Sequence, residues 1–213
     1  MTKSKLKHFA EILTFPNVFQ LTKEMKGKWD EFFFKNGSPV TLELACGRGE
    51  YTLGLGEKYP DRNFIGIDIK GARLWRGGKT ALEKQMKNVA FLRTQIDHLP
   101  EYFRLGEAEE IWITFPDPFP QLSNAKRRLT SPKYLEVYKQ VLQPGGFIHL
   151  KTDDTNLYEY TLKVIAEQRL KLICNTADLY AAPLPDEILY LETYYEKIHL
   201  AEEKKIKYIK FSL

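Results

Sequence analysis

From Val40 onward, short apolar runs alternate with longer amphipathic stretches, which predicts an α/β sheet with helices on both faces. Runs at 40–45, 63–69, 89–93, 111–115, 147–152, 170–176 and 206–213 read as strands. The best-marked helix opens at Ser131, an N-cap type, with Pro132 at its first position, and runs to Pro144-Gly145-Gly146. The connection between the last two strands is the longest and least regular. It carries Pro183, Pro185 and a stretch at 186–205 that reads as part helix.

Ahead of this alternation, residues 1–35 read as an extension before the fold proper. Lys3, Lys5, Lys7 and His8 make a basic start, either a solvated tail or an arm that touches phosphate. Residues 18–34 then place Phe19, Met25, Trp29, Phe32 and Phe33 on one side of an amphipathic helix that ends at Gly37-Ser38-Pro39. The expected division is an arm and helix over 1–38 and one domain over 39–213.

Composition narrows the class without choosing a function. The chain has 213 residues, 43% hydrophobic and 28% charged, which suits one globular domain whose core needs no staples. The apolar runs are strand-sized and broken by charge, and no signal-like segment follows the N-terminus, so the reading is a cytoplasmic protein without a membrane span. Cys46 and Cys174 lie among hydrophobic strand residues and form no Cys-x-x-Cys pair, which predicts buried thiols. The four histidines have no ligand spacing, and no metal is expected. A net charge of +4 permits a nucleic-acid partner without requiring one.

The candidate chemistry starts at Thr41-Leu42-Glu43-Leu44-Ala45-Cys46-Gly47-Arg48-Gly49-Glu50-Tyr51, a buried strand entering a glycine turn and then a helix. Gly47 and Gly49 allow a sharp turn and leave room for a ligand against backbone amides. Thr52 stands where a dinucleotide fingerprint has its third small residue, and Glu43 and Glu50 would repel a pyrophosphate. A carboxylate at the strand end suits S-adenosylmethionine, which carries an ammonium and a sulfonium. Ligands gather at the carboxyl ends of strands in such sheets, and carboxylates stand there repeatedly: Glu43, Asp68, Asp97, Asp117 and Asp153. Asp68 is placed to take ribose hydroxyls or to cap the next helix. Asp97 faces an adenine amino group or caps the short helix near Pro100.

The loop Phe115-Pro116-Asp117-Pro118-Phe119-Pro120 is stiffened by three prolines and cannot be helical. A planar base can stack on Phe119 while Asp117 accepts hydrogen bonds from its edge. Lys126, Arg127 and Arg128 follow as solvated surface or phosphate contacts, and Lys70, Arg73, Arg76 and Lys79 form a second basic stretch. Lys204, Lys205, Lys207 and Lys210 read as an RNA face or a lysine-guarded edge strand.

Taken together, these stretches resemble the bacterial tRNA (guanine-N7-)-methyltransferases. The resemblance covers nearly all of the chain from Leu42. It rests on the glycine turn, on Gly66-Ile67-Asp68-Ile69, on the proline loop followed by Lys126-Arg127-Arg128-Leu129, on Lys151-Thr152-Asp153 and on Thr193-Tyr194-Tyr195-Glu196. It implies a Rossmann-like class I methyltransferase fold with a seven-stranded, mostly parallel sheet and an antiparallel last strand. It further implies S-adenosylmethionine bound by Glu43, Gly47, Gly49, Asp68 and Asp97, and Asp117 as the catalytic or guanine-binding carboxylate. Phe119, Lys126, Arg127, Arg128, Asp153, Thr193, Tyr194, Tyr195 and Glu196 would contact tRNA, and the enzyme would be a monomer or homodimer. Gln121, Leu122, Ser123 and Asn124 stand where the family usually carries basic residues, and Phe119 replaces a common tryptophan. Weaker tRNA binding or a relocated phosphate contact is the expected result. The rival functions are methylation of another atom or RNA, and a cofactor-binding RNA module without turnover.

Overall fold

The computed structural model describes residues 3–183 and 186–213, and of residues 3–6 the backbone only. Met1, Thr2 and Pro185 lie outside the described residues, as do the side chains of Lys3 and Lys5. The chain orders as α1 (Lys3–Ile12), β1 (Val18–Gln20), β2 (Val40–Leu44), α2 (Glu50–Lys58), β3 (Asn63–Asp68), α3 (Gly71–Glu83), β4 (Val89–Arg93) and β5 (Ala108–Thr114). It continues through α4 (Pro132–Tyr138), β6 (Leu142–Thr152), α5 (Thr155–Glu167), β7 (Lys171–Thr176), α6 (Tyr194–Ala201) and β8 (Lys207–Ser212).

One sheet runs in the order β1-β4-β3-β2-β5-β6-β8-β7. Every pairing is parallel except those of β8, which runs antiparallel to both β6 and β7. The antiparallel insertion of the last strand follows the expectation, but the described sheet has eight strands rather than seven. The added strand is β1, inside the segment read as an amphipathic helix over 18–34. That helix does not form. Lys23–Met25 makes a single tight helical turn and Asp30–Phe34 a wide one. Most of the apolar residues still face a common interior, although Phe32, expected on that side, is half exposed: Trp29 is fully buried, stacks on Phe103 with ring centroids 5.4 Å apart, and donates its indole N–H to the Tyr102 carbonyl at 2.9 Å.

Two further expectations change. The helix opened by Ser131 and Pro132 stops at Tyr138, and Pro144, Gly145 and Gly146 fall within β6. Ser131 does occupy the N-cap position, yet its hydroxyl donates to the Lys126 carbonyl instead of accepting from the helix. Strand β8 is internal, so Lys207 and Lys210 do not guard an edge. Lys207 is buried against the carbonyls of Asp153 and Lys205, and Lys210 lies over the Phe147 ring. Cys46 is buried as expected, and Cys174 is only partly covered. Among the described residues no helix is long and apolar enough to cross a membrane.

The connection direction reverses between β2 and β5, where the carboxyl ends of the two central strands open a crevice. Close packing holds the glycine turn there. A Cβ at Gly49, Gly66 or Gly77 would stand 2.3, 2.8 or 2.6 Å from the Phe91 ring, so α2, β3 and α3 all approach that ring through residues without side chains. At Gly77 the Arg48 carbonyl is also 2.7 Å away. An alanine inside a helix ordinarily gains about 1 kcal/mol over glycine. Here overpacking of about 1–3 kcal/mol should outweigh it. Gly77→Ala is therefore expected to lower the urea midpoint; a raised midpoint would show that Phe91 can move aside.

Candidate functional site

The two central strands both end in left-handed backbone. Ala45 follows β2 at φ 55° and Phe115 follows β5 at φ 48°, conformations that a side chain makes costly and that concentrate at functional sites. Phe115 also precedes a proline, which further restricts it. Ala45 and Arg48 are exposed at the mouth, and a Cβ at Gly47, φ 58°, would meet nothing within 4 Å. The glycine turn thus faces open space on the side where a ligand would lie. Asp68 ends β3 beneath it. Its Oδ2 accepts from the Gly47 N–H at 3.0 Å and its Oδ1 from the Lys70 N–H at 2.7 Å, fixing the turn and the entry to α3 together. Each oxygen retains a further lone pair for a ligand.

Glu43 lies deeper. Its side chain is buried, with Oε2 accepting from the backbone N–H of Thr52 at 2.8 Å and from the Thr52 hydroxyl, and Oε1 accepting from the Thr114 hydroxyl at 2.8 Å. Burial pushes its pKa up to about 7, although the bonds from Thr52 and Thr114 favour the ionised form. The residue expected to face a cofactor is in this structure a brace joining β2, α2 and β5.

The proline loop is pinned from one side by Arg128. This guanidinium is buried and donates to the carbonyls of Pro118 at 3.1 Å and Phe119 at 3.0 and 3.2 Å, while its flat face lies over Tyr160. Arg128 is therefore a loop clamp, with its donors turned away from any phosphate. Arg127 lies over one face of Phe119, 4.3 Å from the ring centroid. Asp117 is exposed at the tip, its Oδ1 accepting from the Phe119 N–H at 3.1 Å. Lys126 is exposed, and Leu122, in the stretch lacking the family's basic residues, is 86% exposed.

Around the rim, Asp97 is engaged by Lys133 as an ion pair and by the Tyr134 hydroxyl at 3.1 Å. Burial alone would raise its pKa, but those partners hold it below the usual value. Asp153 lies 3.4 Å from His199 Nδ1 and 3.5 Å from Lys204 Nζ. Beside it a wide cleft of about 640 Å³ is lined by Asp153, Asp154, Asn156, Lys204, Lys205 and Lys207. Lys204 also pairs with Glu202 and Lys205 with Asp178, so the cleft wall is of mixed charge. Thr193 caps α6, and Tyr194 and Tyr195 stand exposed at its start. Glu196 turns inward and is fully buried. The structure thus gathers Gly47, Asp68, Asp117, Phe119, Asp153, Tyr194 and Tyr195 on the strand-end side of the sheet, and takes Glu43, Arg128 and Glu196 into the interior.

A family model described as "Putative methyltransferase" matches residues 37–209. A tRNA (guanine-N(7)-)-methyltransferase of Bacteroides fragilis is 48% identical over 221 aligned residues, covering 100% of this chain and 87% of that protein. Proteins of the same name from Christiangramia forsetii and Porphyromonas gingivalis are 46% and 49% identical, covering 100% and 94% of this chain and 99% and 86% of theirs. The chain belongs to the tRNA (guanine-N7-)-methyltransferase family. Solved methyltransferases share the fold: the 16S rRNA methyltransferase KamB superposes with a TM-score of 0.64 at 17% identity over 84% of this chain and 90% of its own, and an antibiotic-related methyltransferase with 0.65 at 17% over 91% and 94%.

In this member of the tRNA (guanine-N7-)-methyltransferase family, His199 joins the site without having been expected there. Its ring lies 5.7 Å from that of Phe115 and its Nδ1 faces Asp153. The sequence signal was its position four residues after Tyr195, one helical turn along the same face. Among the described residues no cluster of His, Cys, Asp or Glu could hold a metal ion.

The raised pKa of Glu43 has a sign that can be tested. The folded protein retains a proton that the unfolded chain releases, so the contribution to stability is full below pH 4.5 and is lost as pH rises through about 7. Glu43→Gln cannot ionise. Relative to that variant, the wild type should lose urea stability across this window, by up to about 3 kcal/mol, and parallel pH profiles would show that folding leaves the Glu43 pKa unchanged.

Proposed function

We propose that this chain transfers the methyl group of S-adenosylmethionine to N7 of a guanosine in the variable loop of tRNA, in the cytoplasm. The observation that carries the reading is the meeting of an open glycine turn and a clamped carboxylate loop at the ends of neighbouring strands β2 and β5. The turn fits the cofactor in chemistry as well as space. It presents no basic group buried for a pyrophosphate, and carboxylates lie at or beneath the strand ends. Gly47, Gly49 and Asp68 would hold the cofactor, Glu43 would support the turn from below, and Asp97 would stand at the adenine end. When bound, S-adenosylmethionine supplies an electrophilic methyl group on a sulfonium.

Guanine N7 has an in-plane lone pair and carries no proton at neutral pH, so no base has to remove one before attack. The work left to the protein is alignment and electrostatics. Asp117 accepts hydrogen bonds from the N1 and N2 edge of the base, orienting it and stabilising the positive charge that develops on the ring. Arg128 makes this possible at a distance, because a loop held through its carbonyls keeps the Asp117 carboxylate in place. Phe119 offers an aromatic face, Tyr194 and Tyr195 offer two more, and Asp153 with His199 lines the rim. Lys126 and the exposed Lys70, Arg73 and Arg76 supply charge for the phosphate backbone.

The direct test is unmodified tRNA transcript with methyl-labelled S-adenosylmethionine, followed by borohydride reduction and aniline cleavage. A single cut in the variable loop is expected, and label without a cut would reassign the methylated atom. Asp117→Ala should lower turnover by about 100-fold or more while cofactor affinity, read by calorimetry, stays within about twofold. Unchanged turnover would remove Asp117 from the chemistry.

A further inference from the structure

Thr193-Tyr194-Tyr195-Glu196 has the form of a capping box, in which the first residue caps the helix and the last reaches back to the N-cap amide. Only half of that box forms. The Thr193 hydroxyl accepts from the Glu196 N–H at 3.2 Å, as the motif requires. The Glu196 carboxylate is drawn elsewhere, to Lys151 Nζ at 2.8 Å and to the Tyr180 hydroxyl at 2.9 Å.

Lys151 stands on β6 opposite Thr114 of β5 and Tyr208 of β8, and its side chain is completely buried. Besides Glu196, its ammonium donates to the main-chain carbonyls of Leu189 at 3.2 Å and Leu191 at 3.3 Å. All three of its protons are therefore spent on the 189–196 stretch. A second set of contacts joins this stretch to the glycine turn. Glu50 Oε2 accepts from the Tyr194 N–H at 2.6 Å, Arg48 lies over the Tyr194 ring, and Tyr51 donates to the Ile188 carbonyl at 3.3 Å. Outward the stretch presents three tyrosines and one carboxylate: Tyr190 is 60% exposed, Tyr194 and Tyr195 are 54% exposed each, and Glu192 is exposed between them.

We propose that Lys151 is a positioning residue for tRNA recognition, holding residues 189–196 through one carboxylate and two carbonyls so that the exposed tyrosines stand beside the glycine turn. Glu196 then acts through Lys151 and makes no contact with the substrate. The statement rests on tRNA being the substrate, and its test separates the two claims.

Lys151→Met alone strands a buried carboxylate and risks unfolding. The paired variant Lys151→Met/Glu196→Leu removes both charges and keeps the volume, so the fold is retained while the carbonyls of Leu189 and Leu191 lose their donor. Its expected phenotype is a tRNA KM raised about tenfold or more, a cofactor Kd within about twofold, and faster amide hydrogen exchange confined to 186–201. Glu196→Gln keeps an acceptor for Lys151 and Tyr180 and should hold the tRNA KM within about threefold of wild type. A wild-type KM and exchange pattern in the paired variant would overturn the proposal, as would a loss of cofactor affinity parallel to the rise in KM. A large KM increase in Glu196→Gln with unaltered exchange would instead place Glu196 on the substrate and overturn it. Should wild-type protein fail to methylate tRNA at guanine N7, the substrate reading falls, while hydrogen exchange in the paired variant still decides whether Lys151 holds the segment.

Discussion

The crevice depends on one buried carboxylate. Glu43 reaches from β2 to the first turn of α2 through Thr52 and to β5 through Thr114, which spans the line where the sheet's winding reverses. A sheet opens a crevice at such a line because the helices leave it in opposite directions, and the same divergence leaves the two halves poorly tied at the strand ends. A carboxyl group engaged in three hydrogen bonds there does what apolar contact cannot, since it fixes direction as well as distance. The cost is burial of the charge, seen in a pKa near neutrality. The glycine turn above it and the proline loop beside it inherit their positions from this brace.

Much of this arrangement was legible in the sequence because its signals are local. A strand running into Gly-x-Gly, carboxylates at strand ends and a proline loop each declare their backbone geometry within a few residues. The interior partners were not legible in the same way. Arg128 looks like the third member of a basic cluster, and only the folded loop shows that its donors close on Pro118 and Phe119. Glu196 reads as the end of a capping box until Lys151, far away in sequence, is brought beneath it. Charges are called exposed by default, and the exceptions are set by tertiary partners.

The error at the N-terminal segment has a different origin. Phe19, Met25, Trp29 and Phe33 have helical spacing and are partly or fully buried, as is Phe34, whereas Phe32 is half exposed, so the pattern reported most of a buried face. It was produced by a short strand, one tight helical turn and one wide one in succession. A three-residue strand is too brief to display a period of two, and at that length the edge of an existing sheet decides the conformation.

That short strand matters beyond its own length. β1 lies along β4, whose other side is taken by β3, and so covers a row of backbone donors and acceptors that would otherwise face solvent. β4 is apolar and almost wholly buried. Bare, it would be a template on which another chain could add a strand. The segment before Val40 thus serves as a guard on one flank of the sheet. At the opposite flank the six-residue β7 bears Lys171 with Leu172 and Ile173 exposed beside it, so charge at Lys171 is what guards that edge. Of the two margins, the second is where self-association by strand pairing would begin.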